Sequence, residues 1–374
     1  MTDDSTQRQA QTGEPEHLDT DHLDAEHIGT EHADAEHTDA EDALPEGTDT
    51  DKEHTMLLSR VAESVYWAGR YLERAEATAR LVKVHTELFL DMPKSAGIGW
   101  TPLLAVTGTH EAFTDGHTVA DEDEIIHFMC GDEANTSSII SSVISARNNL
   151  RVARALLPRS SWEIVNELFL ITTGSPRRAV DRRTRLDWLG EVIHRCQWLS
   201  GLLAGSMSHD DAFCFLEVGR FLERADMTTR VIDVQAGILQ ASTDDTRATF
   251  ADVTWVSALK SVGAHQMFLR TARTGISGTE AMKFLLTDHR FPRSVEFCLV
   301  ELSRALLELP RHELAMAACA DAQRLLEDTD LSSLTPIGMH ECVDGLQQVL
   351  STVHEELVSS YFDMTFTTEL LASA

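Results

Sequence analysis

Basic charge is scarce in this chain: 31 lysines and arginines face 61 aspartates and glutamates, for a formal net charge of -30. Affinity for nucleic acid comes mainly from basic side chains on phosphates, and docking on anionic membranes needs the same charge. Neither partner is expected. The six cysteines, Cys130, Cys196, Cys214, Cys298, Cys319 and Cys342, form no CxxC pair. They fall inside apolar helical stretches, where free cysteine behaves as a small core residue, so a reduced compartment is expected and a disulfide framework is not. No basic segment followed by an apolar run opens the chain, and no apolar run is long enough to span a bilayer. These absences place the protein in the cytoplasm.

Catalytic signatures are missing as well. There is no P-loop, no GxSxG and no zinc-ligand spacing of cysteine and histidine. The dipeptides His110-Glu111, His312-Glu313 and His354-Glu355 do not continue to HExxH, and Gly97-Ile98-Gly99 runs into Trp100-Thr101-Pro102 rather than a dinucleotide fingerprint. No cofactor is expected. Alternation of the strand type is absent, so β-structure is excluded as a major component.

What is present begins with an acidic tail. Residues 1–55 carry 18 acids and 2 bases, about half of the excess negative charge. Residues 16–40 repeat every five: EHLDT, DHLDA, EHIGT, EHADA, EHTDA. A period of five matches neither helix nor strand, so the tail reads as disordered. His17, His22, His27, His32 and His37 stand beside carboxylates and are weak candidates for a divalent metal. A solvated spacer is the plainer reading, and Met56 is a second candidate start.

From Leu57 onward apolar residues recur at helical spacing. Helices are predicted near 57–91, 136–157, 160–172, 180–204, 209–240, 250–272, 279–287, 294–308, 311–327 and 339–362, with a shorter one near 121–130. Proline and glycine punctuate the breaks. The expected fold is all-α, an antiparallel helical bundle.

The most informative feature is internal. Residues 69–84 read GRYLERAEATARLVKV and residues 219–234 read GRFLERADMTTRVIDV, identical at nine of 16 positions. At the same offset of 150, Arg154-Ala155-Leu156-Leu157 matches Arg304-Ala305-Leu306-Leu307. Two matches in one register imply a duplicated unit of domain size, with halves at 56–206 and 207–374. On a helical wheel Val65, Ala68, Leu72, Ala75, Ala79 and Val82 share a core face, as do Phe215, Val218, Leu222, Ala225, Thr229 and Ile232. The opposite faces carry Arg70, Glu73 and Arg74, and Arg220, Glu223 and Arg224. Two arginines four residues apart repel each other, and burial raises that cost unless an anion lies against them. Either Glu73 pairs with Arg224 and Glu223 with Arg74 across the repeat, or a ligand carboxylate or phosphate fills the role. A second candidate is the loop Asp288–Ser294. Its Ser294 can cap the following helix beside Arg290 and Arg293, as an ordinary turn or as an anion pocket.

Ser59-Arg60, Tyr66-Trp67 and Gly69-Arg70-Tyr71-Leu72-Glu73-Arg74-Ala75-Glu76, with Thr78 and Arg80, resemble the opening of the alpha-E domain family (DUF403), a helical domain with a Glu-Arg motif. The resemblance runs from Leu57 to near Phe362. It takes in Ala146-Arg147-Asn148-Asn149-Leu150-Arg151, Trp162-Glu163 with Asn166, and Phe291-Pro292-Arg293-Ser294. Asn148 stands where the family usually has glutamate, which removes a charge role there. The resemblance implies company with circularly permuted ATP-grasp ligases and transglutaminase-like proteins, and hence a place in ATP-dependent amide ligation or peptide modification. ATP-grasp folds need β-structure, so this chain is expected to be a component that does not itself bind ATP. An independent enzyme or an anion-binding bundle using the Arg/Glu faces are the alternatives. Candidate anion- or partner-binding residues are Arg70, Glu73, Arg74, Arg80, Arg220, Glu223, Arg224, Arg230, Asn149, Arg151, Arg290 and Arg293.

Overall fold

The computed structural model describes residues 57, 59–91, 99–240, 245–272, 276–331 and 333–362. The expectations for residues 1–55, including the disordered tail and the candidate ligands His17, His22, His27, His32 and His37, lie outside the described residues.

Among the described residues the protein is all helix, with no strand. A long helix α1 (Ser59–Asp91) leads into three short ones, α2 (Thr101–Val106), α3 (His110–Gly116) and α4 (Glu122–Cys130). Then come α5 (Ile139–Val152), α6 (Arg159–Gly174), α7 (Arg177–Val180) and α8 (Arg185–Ser206). A second long helix α9 (Asp211–Gln240) is followed by α10 (Asp245–Ser261), α11 (His265–Thr271) and α12 (Gly278–Thr287). The chain continues through α13 (Val295–Leu307), α14 (Glu313–Asp328) and α15 (Pro336–Leu357), with a π-helical turn at Val358–Phe362.

Helix starts follow local chemistry. Asp121, Ser138, Ser277, Ser294 and Thr335 each accept a hydrogen bond from a first-turn amide of α4, α5, α12, α13 and α15, satisfying donors the helix leaves free. Three expected spans differ. The helix expected over 250–272 breaks between α10 and α11, because Gly263 takes φ 71° and the Ala264 amide turns back to the Leu259 carbonyl; this left-handed cap is open to glycine at little cost. The span 136–157 stops at Val152 and ends in a 3-10 turn, Arg154–Leu156. The span 180–204 starts late, α8 beginning at Arg185, since Asp181 is extended and its carboxylate accepts from the Arg183 amide.

Two groups of four helices emerge. In the first, α1 packs on α5 and α8, and α6 packs on both of these. In the second, α9 packs on α13 and α15, and α14 packs on both. The groups share a seam where α1 lies along α9, the most extensive helix–helix contact among the described residues. Connecting segments cross over it: α2 packs on α9, and α10 packs on α1. All the described residues belong to one compact unit.

The long helices can meet because each carries glycine at the crossing. A Cβ on Gly69 would overlap the Leu216 carbonyl oxygen, and a Cβ on Gly219 would overlap the Tyr66 carbonyl oxygen. Gly69 and Gly219 occupy corresponding places in the sequence repeat, and each faces the backbone of the other's helix. The expected core faces are buried, Val65, Ala68, Ala75, Ala79, Val218 and Ile232 essentially completely. The faces opposite are not solvent faces: Tyr66, Gly69, Glu73 and Glu76 of α1 are buried too, as is Glu223 of α9. Sitting at the centre of two helix groups, α1 and α9 are covered nearly all round, which a one-sided amphipathic pattern does not anticipate.

The two segments of the weaker sequence match lie in different elements. Arg154 lies in the 3-10 turn after α5, whereas Arg304 lies inside α13. Ser138 and Ser294 each cap the helix that follows them.

Candidate functional site

The seam between α1 and α9 gathers the charges. Glu223 accepts from Arg70 Nε at 2.7 Å and from Arg74 Nε and Nη2 at 2.5 and 3.0 Å. Glu73 accepts from Arg224 Nη2 at 2.7 Å and from Arg293. Each glutamate of one long helix is therefore clasped by an arginine one position beyond the equivalent glutamate on the other. Both are almost wholly out of water, 2 % exposed for Glu73 and 1 % for Glu223. Bidentate arginine forks are the natural partners for such carboxylates.

A second row lies one turn further along. Arg80 and Arg293 both donate to Glu76, the latter at 2.9 Å, and Gln197 from α8 adds a hydrogen bond of 3.2 Å. Asp226 holds Arg230 at 2.9 Å. The guanidinium of Arg80 rests on Gly263 after α10, and that of Arg230 rests on Gly108 after α2. Gly108 and Gly263 both have positive φ, 66° and 71°. Each long helix thus sends an arginine to a left-handed glycine in the other half's connecting segment.

The ends of the cluster differ. Arg70 also donates to the Tyr66 hydroxyl at 3.2 Å, and that hydroxyl meets His354 Nδ1 of α15 at 2.7 Å. Arg70 further stacks over Trp67, 5.5 Å from the ring centre. Its counterpart Arg220 is drawn instead to Glu217, which stands where α1 has Trp67. Arg293, from the loop before α13, fills the place beside Glu73 that Arg220 leaves.

Burial and charge compete at every group. Burial works against the Glu73 carboxylate, but the charges of Arg224 and Arg293 overcome it and hold its pKa well below the ordinary range. Glu223 is likewise depressed, burial being outweighed by Arg74 and Arg70. At Glu217 and Asp226 burial prevails and the pKa rises. Burial pushes Tyr66 up to about 12. Burial lowers Arg80, with the charge of Arg293 adding to it, and burial lowers Arg220 despite Glu217. Seven arginines (70, 74, 80, 220, 224, 230, 293) meet five carboxylates (73, 76, 217, 223, 226). Two positive charges are in excess, and the Nε atoms of Arg220 and Arg224 are buried without an acceptor.

Of the residues singled out from sequence, Arg70, Glu73, Arg74, Arg80, Arg220, Glu223, Arg224, Arg230 and Arg293 come together here. Arg290 does not: it is exposed, and the Asp288 carboxylate turns its loop by accepting from the Arg290 and Phe291 amides. Ser294 does cap α13. Asn149 donates to the Ser145 carbonyl of its own helix, and Arg151 is exposed at the end of α5. Their neighbour Arg147 makes the tertiary contacts, donating to Asn166 at 2.7 Å and lying over Trp162 and Phe169. Sequence reasoning missed Glu76, Glu217 and His354. The spacing of Glu76 to Arg80 was a visible signal, whereas nothing near position 354 announces a partner 288 residues away. Among the described residues no group of three or more His, Cys, Asp or Glu could hold a metal ion. The six cysteines are buried and free, and burial pushes Cys130 and Cys298 up to about 12. No helix among the described residues is long and apolar enough to cross a membrane.

An all-helical domain organised around two reciprocal Glu–Arg pairs is the class that emerges. The chain belongs to the Alpha-E family, described as a predicted alpha-helical domain with a conserved ER motif, which it matches over residues 57–362. It is similar to uncharacterised proteins of Mycobacterium bovis and Mycobacterium tuberculosis, 23 % identical over 324 residues, covering 80 % of this chain and 35 % of theirs. The chain thus spans about a third of the length of these relatives. No solved structure matches it.

Proposed function

We propose that the chain is a helical component of an ATP-grasp-linked amide-ligation or peptide-modification system, acting as a scaffold or acceptor-presenting partner and leaving ATP to another subunit. The association with ATP-grasp and transglutaminase-like proteins comes from the family resemblance. The observation that carries the accessory role is the consumption of the motif charges. Glu73, Arg74, Glu223 and Arg224 are spent on one another across the seam, so the Glu–Arg motif acts as a clasp and neither Glu73 nor Glu223 is left poised as a base. The share of length in the mycobacterial relatives supports the same reading, because most of each relative is other sequence that accompanies this region. The partners are then an ATP-grasp protein and a transglutaminase-like protein, with the cytoplasm as the setting.

The test is to purify the chain with and without an ATP-grasp protein encoded beside it, and to assay ATP hydrolysis coupled to amide formation. The chain alone binds no ATP and changes the ligase's rate or acceptor choice. ATP binding by the isolated chain, or a ligase indifferent to its presence, overturns the proposal.

A further inference from the structure

One end of the cluster opens to a cleft. Arg80, Arg224 and Arg293 line it, with Thr228 beside them and Ala77 and Met227 on its apolar wall. The space is about 20 Å³, room for one oxygen-sized group and too little for a whole phosphate. Charge is out of balance on this side. Arg80, Arg220, Arg224 and Arg293 face Glu73, Glu76 and Glu217, leaving a single positive charge. Arg224 Nε has no acceptor, although buried amid these charges. A buried cation in excess is costly unless an anion approaches. The matching end carries the same single surplus, since Arg70 and Arg74 both go to Glu223 and Arg230 goes to Asp226; what marks this end is the cleft lined by three arginines.

We propose that the cleft between Arg80, Arg224 and Arg293 is a carboxylate-binding site that admits one oxygen of a monocarboxylate on a short aliphatic arm. Its single surplus charge suits a monoanion, its size suits one oxygen, and its apolar wall suits the methylene that follows. Planar guanidinium groups pair with carboxylates in the required geometry. Glutamate or aspartate side chains and the free end of a peptide supply this chemistry. That the carboxylate belongs to an acceptor or partner protein rests on the function proposed above; the site itself does not.

The experiment uses the whole chain and titrates sodium acetate, N-acetylglycine and acetyl-Glu-amide by calorimetry, at constant ionic strength in chloride, with inorganic phosphate as a further arm. A saturable carboxylate isotherm is expected, with N-acetylglycine and acetyl-Glu-amide telling a chain end from an acidic side chain. Ala77→Met, which narrows the cleft without touching a charge, and Arg80→Lys, which keeps the charge and loses the fork, should each weaken binding about tenfold or more. Should one variant fail to fold, the other carries the comparison. Absence of saturable carboxylate binding, tighter binding of phosphate than of any carboxylate, or unchanged affinity in a folded variant overturns the site. Those outcomes leave the ligase-component proposal standing, whereas carboxylate binding beside an indifferent ligase overturns that proposal alone.

Discussion

The two ends of the α1–α9 seam start from nearly the same sixteen-residue sequence and settle their charges differently. At the Glu223 end, Arg70 and Arg74 of the same helix both reach the carboxylate. At the Glu73 end, Arg224 arrives as expected, but Arg220 has turned to Glu217 and Arg293 has come in from a loop to replace it. One substitution decides which. Trp67 offers Arg70 an aromatic face and leaves its hydrogen bonds for Glu223, while Glu217 at the matching place offers Arg220 a carboxylate. Glu73 and Glu223 each end with two cationic partners, and at Glu73 the chain finds the second in a loop. Arg293 also ties Glu73 to Glu76, so the improvised end is more extensively cross-linked than the simple one.

The strongest way to break the comparison is to remove a glutamate. Glu73→Ala leaves Arg224 buried without its carboxylate and Arg293 with Glu76 alone, and Glu223→Ala strips both Arg70 and Arg74 of theirs; each should cost about 3–5 kcal/mol in denaturant unfolding. Retention of wild-type stability by either variant would show that its carboxylate is not a clasp. Next comes the crossing itself. Gly69→Ala and Gly219→Ala each set a methyl group against a carbonyl oxygen of the facing helix, and backbone cannot yield as a side chain can. Destabilisation of about 3 kcal/mol is expected, the top of the usual overpacking range.

The asymmetry is tested by Arg293→Ala, which should cost about 1.5–3 kcal/mol through lost charged hydrogen bonds at the Glu73 end only. Adding Glu217→Gln should recover part of that loss, because a neutral amide at this position weakens the hold on Arg220 and frees it for Glu73. Alone, Glu217→Gln should change stability by less than about 1 kcal/mol. Additive losses in the double variant would mean that Arg220 and Arg293 do not compete for Glu73.

Acid sharpens the picture further. Glu73 and Glu223 have folded pKa values below their usual 4.5. Their stabilisation is complete above about pH 4.5 and is lost as pH falls through the depressed values. Glu217 and Asp226 are raised by burial and run the other way, their burden easing on protonation. Acid unfolding should therefore steepen in Glu217→Gln, where one opposing group is gone, and flatten in Glu73→Ala.

Much of this was legible beforehand. The all-helical class followed from periodicity, and the reciprocal pairing of Glu73 with Arg224 and of Glu223 with Arg74 was one of the two readings offered by arginines four apart that needed an anion, the other being a bound ligand. What escaped has a common cause. Short helices such as α2 and α3 carry too few turns to show a period. Arg293 was noted in its loop, yet no local pattern reveals that it points inward to a helix 220 residues away. His354 and Gln197 join through packing of α15 and α8, which the wheel of either helix leaves open. The wheel set the charged face of α1 opposite the core face and in need of a partner, but a one-sided pattern cannot say that a helix at the junction of two bundles has no outside.

The central claim is that the Glu–Arg motif is a reciprocal clasp across two helices. A double-mutant cycle on Glu73→Ala and Arg224→Ala, matched by one on Glu223→Ala and Arg74→Ala, measures it directly by chemical denaturation. Coupling of at least about 1.5 kcal/mol is predicted in both cycles, whereas additivity to within about 0.5 kcal/mol in either would contradict the clasp.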